Sequence, residues 1–361
     1  MAKSALLEKL KTNKTIKETL VEQDAPQQFV STDCYTLNLL FSGKLNGGIP
    51  IGKISSFAAP SATGKSFVGL KLAKNAQHDN DLDVIYVDTE FSYNPNFASN
   101  VGIDLDRFLP IQSNRIEEIQ KAIASSVMTL TKEERQKLLI IIDSWGGLIT
   151  SKSMDDAISG NDKADFTPAK KKNALSRLLS GLDSTVFVVN HVYDNIGSMY
   201  DPLTIGGGKG LIFAASSIVL GKTKAKDKQG DEIKGSIISA NAYKGRYAVE
   251  NSKLKFLIKY EGGIHRYWGL LDDALEGGFV EKPNMGWYTR PAVTGDKKWR
   301  EKEIWENSKE FWEPLLSNPD FHYFFEKKYS FEHNTIFSED EMTSVVVPTT
   351  IQEEEAINET E

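Results

Sequence analysis

Short, continuous apolar runs alternate along this chain with segments whose apolar residues recur at helical spacing. The runs predict buried strands at 53–58, 83–88, 138–143 and 185–190. Helical spacing between and beyond them predicts helices at 65–75, 116–130 and 170–182. Strands that are apolar on both faces and separated by helices are typical of a parallel sheet covered on both sides. We therefore predict an α/β fold with a mostly parallel central sheet flanked by helices.

The pattern changes at both ends of this alternation. A helical pattern at 35–41 precedes the first strand, and after residue 211 polar turns separate strand-like segments that predict an antiparallel extension of the sheet, at 212–222, 235–243 and 253–260. An aromatic, irregular stretch follows and predicts a small C-terminal α+β domain. The predicted division is an N-terminal arm, a core, the small domain and an acidic tail with disorder-like composition, at 1–30, 31–262, 263–337 and 338–361.

The composition is that of an ordinary soluble globular protein, with 40% hydrophobic and 26% charged residues in 361. No apolar run approaches the length needed to span a bilayer, and charges interrupt the first apolar stretch, which is therefore a poor signal peptide. The single cysteine, Cys34, cannot form an internal disulfide, so we expect the protein to be in a reducing, cytoplasmic compartment. We expect the Cys34 side chain itself to be a small buried apolar group.

The charge is unevenly distributed. Eight acidic residues and no Lys or Arg lie between 338 and 361, and removing these eight negative charges from the total of −7 leaves +1 for the remaining chain. The body is thus close to neutral, and the tail carries the negative surplus. Any binding of nucleic acid would depend on local basic patches rather than on the overall field.

Residues 59–66 have the spacing of a phosphate-binding P-loop, and they lie between a predicted strand and a predicted helix. Small residues let the backbone N–H groups surround phosphates, Lys65 would reach the β and γ oxygens of ATP, and the Ser66 hydroxyl would ligate Mg²⁺. Alanine replaces the usual first glycine, which is tolerable where φ is negative. The predicted nucleotide-binding residues are Ala59, Pro60, Ser61, Ala62, Thr63, Gly64, Lys65 and Ser66.

Polar residues follow three of the predicted strands, and strand ends of a parallel sheet meet at one ligand-binding edge. Asp143 would hold Mg²⁺, usually through water. Glu90 would orient and activate the attacking water, with a cap for the helix near Pro95 as the alternative. His191, after Asn190, would sense the γ-phosphate, although a purely structural histidine is an equal alternative.

Two long connections, at 151–169 and 192–210, leave the same edge, and connections of this length are usually functional. Basic and glycine-rich residues there could grip a phosphodiester backbone. The alternative for the three lysines is a solvated helix start. The predicted DNA contacts are Lys170, Lys171, Lys172, Gly206, Gly207, Gly208 and Lys209.

Together these segments resemble the RecA-type recombinases, and particularly the UvsX-type recombinases of large tailed phages. The resemblance spans roughly residues 30–290 and rests on the P-loop and its lead-in, on Asp88-Thr89-Glu90-Phe91 and Asp143-Ser144, and on Asn190-His191 and Gly206-Gly207-Gly208. It implies a RecA-like ATPase core that uses ATP and Mg²⁺.

The resemblance also implies individual roles. Lys65 and Ser66 would bind the triphosphate and Mg²⁺, Glu90 would activate water, and His191 would be the switch between ATP and DNA. Asn94 and Phe97 match positions that contact adenine, and Lys244 and Arg246 match cations that reach the γ-phosphate of the neighbouring subunit. The connections at 151–169 and 192–210 would be the two DNA-binding loops, and the N-terminal arm would dock on the neighbouring subunit.

The sequence therefore predicts an ATP-dependent DNA recombinase that polymerises on single-stranded DNA and pairs it with homologous duplex DNA. Its expected partners are those two DNA forms, further copies of itself, a single-strand-binding protein and a mediator protein, with no membrane. One alternative is a RecA-like ATP-binding scaffold that does not exchange strands. Another is a hexameric helicase, which would need an N-terminal domain that the 30 arm residues cannot supply.

Overall fold

The computed structural model of the chain describes residues 9–10, 12–13, 27–160, 167–194, 203–229 and 232–333. The acidic tail, most of the predicted arm and parts of both predicted DNA-binding loops lie outside these residues. Among the described helices, none has the length and apolar character that would let it cross a bilayer.

A ten-stranded mixed sheet forms the centre of the molecule, in the order β12-β11-β10-β9-β3-β7-β6-β4-β5, with β8 paired to β7. Neighbouring strands are parallel from β9 through β3, β7, β6 and β4 to β5. Beyond β9, the strands β10, β11 and β12 each pair antiparallel with the strand before them. The predicted fold class is confirmed. The strands of this sheet are β3 Ile54–Ala59, β4 Asp83–Asp88, β5 Phe108–Gln112, β6 Leu138–Asp143, β7 Thr185–Asp194, β8 Leu203–Ile205, β9 Ser217–Gln229, β10 Glu232–Gly245, β11 Lys253–Lys259 and β12 Gly263–Ile264.

Helices cover both faces of the sheet, and the strand pattern explains why. Ile141 and Phe187 point into one hydrophobic cluster, whereas their neighbours Ile142 and Val188 point into the other. Both faces of each central strand are buried, which is why these runs are continuously apolar. The helices of the core are α1 Tyr35–Ser42, α2 Lys65–Asn80, α3 Pro95–Val101, α4 Ile116–Ser126, α5 Lys132–Gln136, α6 Ser151–Ser159, α7 Thr167–Ser180 and α8 Lys209–Ala214.

Before the P-loop, β1 Phe29–Val30 pairs with β2 Ile49–Pro50. After the sheet, the described part of the chain forms a small antiparallel sheet and four helices. The largest aromatic side chains of this region, Trp299 and Trp312, are fully buried. These residues belong to the same hydrophobic cluster as α1, so this region packs on the core. The remaining elements are β13 Glu281–Asn284, β14 Trp287–Thr289, β15 Trp299–Arg300, α9 Leu271–Glu276, α10 Glu301–Glu306, α11 Ser308–Leu316 and α12 Pro319–Tyr329.

Two sequence predictions were wrong in part. The strand predicted at 212–222 is the end of α8 followed by the start of β9, because Leu211 faces the sheet from a helix that packs on α7. The loop predicted at 151–169 contains α6, whose first turn is capped by the Thr150 hydroxyl, and the beginning of α7. The predicted burial of Cys34 is confirmed, since its side chain is fully buried, and burial raises the pKa of its thiol.

Candidate nucleotide and DNA site

The P-loop lies where the sequence predicts it, between β3 and α2. Gly64 adopts a left-handed conformation with φ of 73°, and a Cβ there would overlap the Ile258 side chain, so glycine is needed at this position. The amine of Lys65 donates to the Pro60 carbonyl at 2.7 Å, as does the Thr63 hydroxyl. Burial lowers the pKa of Lys65, while the nearby carboxylates of Asp143 and Glu90 act in the opposite direction.

Ala59, the departure from the usual P-loop, is accommodated by a glycine in the neighbouring strand. It ends β3 and is fully buried, and its φ is not positive. Gly221 of β9 lies beside it, so close that a Cβ on Gly221 would come within 2.8 Å of the Ala59 methyl group. The Ala59 methyl group therefore takes up the space that a side chain at position 221 would need, and the missing side chain of Gly221 leaves room for alanine at position 59.

A cleft of about 300 Å³ brings the P-loop together with the three strand ends. Ser66 donates a hydrogen bond to Asp143, and Tyr86 donates another to Asp143 Oδ2 at 2.7 Å. Burial is the main reason that the pKa of Asp143 is raised, and the two hydrogen bonds oppose it. Burial and the adjacent Asp143 also raise the pKa of Tyr86, so its hydroxyl keeps the proton that it donates. The residues that line the cleft are Ser61, Ala62, Gly64, Lys65, Ser66, Phe67, Glu90, Asp143 and His191.

The donor set fits a magnesium ion that is bound largely by the substrate. A hydroxyl and a carboxylate lie side by side, and hard oxygen ligands are what Mg²⁺ prefers. No group of three or more His, Cys, Asp or Glu side chains suited to a metal occurs in the part of the chain that the structure describes. The other ligands would have to be phosphate oxygens and water, as is usual for Mg²⁺.

Glu90 is held at one of its two carboxylate oxygens. Oε1 accepts a hydrogen bond from the Ser144 hydroxyl at 2.8 Å and contacts His191 Nε2 at 3.0 Å. The bond from His191 is the largest cause of a lowered pKa, so Glu90 is ionised at neutral pH and the imidazole N–H donates. Among the described residues, Oε2 has no hydrogen-bond partner, and it is available to a water molecule in the cleft.

Asp88 builds the turn that presents Glu90. Its buried carboxylate accepts the backbone N–H groups of Glu90 and Tyr93 and the side-chain amide of Gln112. The alternative that Glu90 caps the helix near Pro95 is wrong, because the Asn94 side chain caps that helix. Phe97, half exposed on the same helix, lies 6.2 Å from the ring of Phe67 at the cleft.

The chain after β7 returns to the same edge of the sheet and is held there. Asn190 Nδ2 donates to the Gly206 carbonyl at 2.8 Å, and the Gly206 N–H donates to the His191 carbonyl at 3.0 Å. The long loop predicted at 192–210 is therefore partly wrong, since β7 continues to Asp194 and β8 pairs with it at 203–205. Residues 195–202 of this prediction lie outside the described residues.

Trp145 joins four parts of this region, a role that the sequence did not indicate. Its backbone N–H donates to the Val189 carbonyl, and its indole N–H donates to the Gly207 carbonyl at 3.1 Å. Its own carbonyl accepts from Lys172 Nζ at 3.0 Å. Lys172 is buried, and burial lowers its pKa. Its amine is thus engaged inside the subunit, in place of the DNA contact predicted for it.

The other predicted DNA contacts lie at the surface or beside it. Lys170, Gly208 and Lys209 are exposed, Lys171 and Gly207 are half-buried, and Gly206 is buried. The amine of Lys244 donates to the carbonyls of Ile212 and Phe213 at the end of α8. Neither Lys244 nor the exposed Arg246 lines the P-loop cleft of its own subunit.

Comparison with known proteins identifies the family of the chain. Residues 5–265 match the family model of the RecA N-terminal domain, and residues 267–324 match the C-terminal domain of the bacteriophage T4 recombination and repair protein. The recombination and repair protein of Enterobacteria phage T4 is 31% identical over 335 residues, which cover 88% of this chain and 83% of that protein.

Bacterial relatives are similar over a shorter range. Protein RecA of a Nocardioides species is 29% identical over 286 residues, covering 78% of this chain and 77% of the relative. Protein RecA of Streptomyces coelicolor is also 29% identical over 286 residues, with 78% and 72% covered.

Proposed function

Because this chain belongs to the RecA family and is a RecA-type recombinase, we propose that it polymerises on single-stranded DNA, binds ATP and exchanges that strand with a homologous duplex. Membership of the family implies a DNA-dependent ATPase. One observation supports ATP hydrolysis most directly. The ionised Glu90 carboxylate lines the same cleft as the P-loop, and its Oε2 is available to a water molecule.

ATP hydrolysis would use the groups around that cleft. The P-loop backbone and Lys65 would bind the phosphates, and Ser66 and Asp143 would hold the magnesium ion. The ion supplies charge neutralisation to the phosphates. Glu90 Oε2 orients a water molecule and accepts its proton, because Ser144 and His191 keep the carboxylate ionised and fixed through Oε1. Asn94 and Phe97, at the start of α3, would contact the adenine.

His191 would couple this chemistry to DNA. Its side chain contacts Glu90 and its backbone carbonyl accepts from Gly206. The same residue therefore touches the proposed catalytic base and the glycine-rich segment at 206–210. Lys170, Lys171 and Lys209, together with the backbone of the glycine-rich segment, would then contact phosphates of the DNA strand. Such contacts are not specific for sequence and weaken steeply with salt. Lys172 is not included, because it is buried against Trp145.

Assembly would place a second subunit against the nucleotide. Lys244 and Arg246 lie outside their own P-loop cleft, which supports a role toward the γ-phosphate of a neighbouring subunit. Two cations at a subunit joint stabilise a triphosphate more than a diphosphate, so assembly would depend on ATP. A single-strand-binding protein and a mediator protein are the further partners that we propose. The division into an arm at 1–30, a core at 31–262, a small domain at 263–337 and a tail at 338–361 remains a proposal.

The test is ATP hydrolysis with and without single-stranded DNA. We expect strong stimulation by DNA in the wild type and a loss of about 10²–10⁴-fold in Glu90→Ala, the range for a general base. Glu118→Ala is the matched control, because Glu118 also pairs with a serine and a basic residue but lies on α4, outside the cleft. Hydrolysis that is indifferent to DNA would refute the recombinase mechanism and favour a scaffold or another type of ATPase.

A further inference from the structure

Tyr86 contacts the proposed magnesium ligand from within the sheet. Its hydroxyl donates to Asp143 Oδ2 at 2.7 Å, and both residues are almost completely buried, with 4% of their surface exposed. The two residues are 57 positions apart in the chain. The contact belongs to neither the P-loop nor the catalytic carboxylate, and the proposed function assigns it no role.

The position of the Tyr86 ring is fixed by the sheet and by two further rings. Strands β4 and β6 are parallel neighbours, with Asp88 opposite Asp143. The Tyr86 ring lies 5.5 Å from that of Phe108 in a stacked arrangement, and 6.0 Å from that of Tyr93. Rings packed in this way leave the hydroxyl little freedom, so the hydroxyl is a rigid donor aimed at the carboxylate.

A rigid donor at one oxygen determines how the whole carboxylate is turned. An aspartate can rotate about its last torsion, which is broad and nearly two-fold. With Oδ2 bound to Tyr86, that rotation is restricted, and the orientation of the carboxylate toward Ser66 is set. Partners of metal ligands commonly act in this way, and their loss typically weakens metal binding by about 10–100-fold.

We infer that Tyr86 is a positioning residue that orients the Asp143 carboxylate for the magnesium ion of the bound nucleotide. The inference rests on the proposed function, since it requires that Asp143 and Ser66 hold that ion. It adds a third residue to the metal site, one that contacts the ligand and not the ion. A tyrosine that only fills the core would be replaceable by phenylalanine with no effect on metal binding.

The experiment measures binding of Mn²⁺ to the full-length protein in the presence of saturating ADP, by the loss of the free-ion signal in electron paramagnetic resonance. Tyr86→Phe removes the hydroxyl and keeps the ring. The matched control is Tyr329→Phe, which removes a hydroxyl from another buried aspartate, Asp273, at 2.9 Å in the C-terminal region. Affinity for ADP in EDTA and thermal unfolding are measured for all three proteins.

We expect Tyr86→Phe to bind Mn²⁺ about tenfold more weakly, with its ADP affinity in EDTA unchanged, and Tyr329→Phe to match the wild type in both. Wild-type affinity for Mn²⁺ in Tyr86→Phe would overturn the inference. So would an equal loss of ADP affinity in EDTA, or of thermal stability beyond that of Tyr329→Phe, because either would indicate a general loss of structure. A wild-type protein that binds no ADP would refute the proposed function itself.

Discussion

The close packing of Ala59 against Gly221, which leaves room for a methyl group at only one of the two positions, can be tested by a double-mutant cycle. A Cβ on Gly221 would lie 2.8 Å from Ala59 Cβ, closer than carbon atoms pack, whereas its other neighbours, Ile238 Cγ2 and Phe57 Cε2, would be at ordinary distances of 3.5 and 3.6 Å. Removing the Ala59 methyl group should therefore be sufficient to make room for alanine at 221.

The magnitudes follow from this geometry. Gly221→Ala alone overpacks a closed site, for which the usual loss is about 1–3 kcal/mol. Ala59→Gly alone loses a buried methyl group and places glycine in a strand, together about 1.5 kcal/mol. The double variant moves one methyl group across the strand pair, so we expect it to lie within about 1 kcal/mol of the wild type. With about 2 kcal/mol for the overpacking, the single losses sum to about 3.5 kcal/mol. The coupling energy is then about 2.5–3.5 kcal/mol in favour of the double variant, or roughly 70- to 400-fold in the unfolding equilibrium.

The assay is equilibrium unfolding in urea without nucleotide, followed by tryptophan fluorescence for the wild type, both single variants and the double variant. Additive losses, within about 0.5 kcal/mol, would show that the two residues are independent and would refute the account of the P-loop alanine. ADP affinity of the double variant, which carries glycine at the first position of the motif, provides a check that the P-loop remains intact.

Two further predictions concern the glycine-rich segment and pH. Gly207→Ala would place a Cβ in the ring of fully buried Trp145, so we expect the free energy of unfolding to fall by roughly 2–4 kcal/mol and DNA to stimulate ATP hydrolysis less. The control is Gly160→Ala, which has a similar positive φ and no atom within 4 Å of the added Cβ, and it should lose about 1 kcal/mol. Equal losses of the two variants in urea unfolding would contradict this. Burial, aided by the charge of Lys259, lowers the pKa of His265 below the value of 6.5 for an exposed histidine. As the pH decreases, the unfolded chain therefore binds the proton before the folded chain does, and the free energy of unfolding falls below pH 6.5. His265→Gln should flatten this fall in urea titrations between pH 7 and 5, and an unchanged slope would assign it to other groups.

The strands and the edge at which the proposed nucleotide-binding residues meet were predictable because they depend on local rules. Continuous aliphatic runs such as 138–142 have no polar face to expose, so they are expected to be central strands. The polar residues that end them, such as Asp143, then meet at one edge of the sheet. Ser66, Glu90, Asp143 and His191 accordingly line a common cleft. A short apolar run such as 211–213 does not distinguish a helix from a strand, and this is where the prediction failed.

The residues that support the site could not be found in this way. Trp145 and Lys172 act on backbone carbonyls, and any residue supplies a carbonyl, so no pattern of side chains marks such a partner. Tyr86 acts on a residue of another strand, and its hydroxyl reaches Asp143 only because the register places β4 beside β6. Register and tertiary packing, not spacing along the chain, determine these contacts.

Close packing, rather than flexibility, explains the glycines at 206–210. A Cβ on Gly206 would lie 2.6 Å from the Tyr193 ring, one on Gly207 would overlap Trp145, and one on Gly210 would overlap the Asn173 side chain. Glycine is therefore required here for close approach, at positions whose backbone is bonded to Asn190, His191 and Trp145. A segment held in this way moves with the residues that hold it, and two of these, His191 and Trp145, directly flank the proposed catalytic groups. A change at Glu90 would thus reach the proposed DNA-contacting backbone through direct hydrogen bonds rather than through a flexible loop.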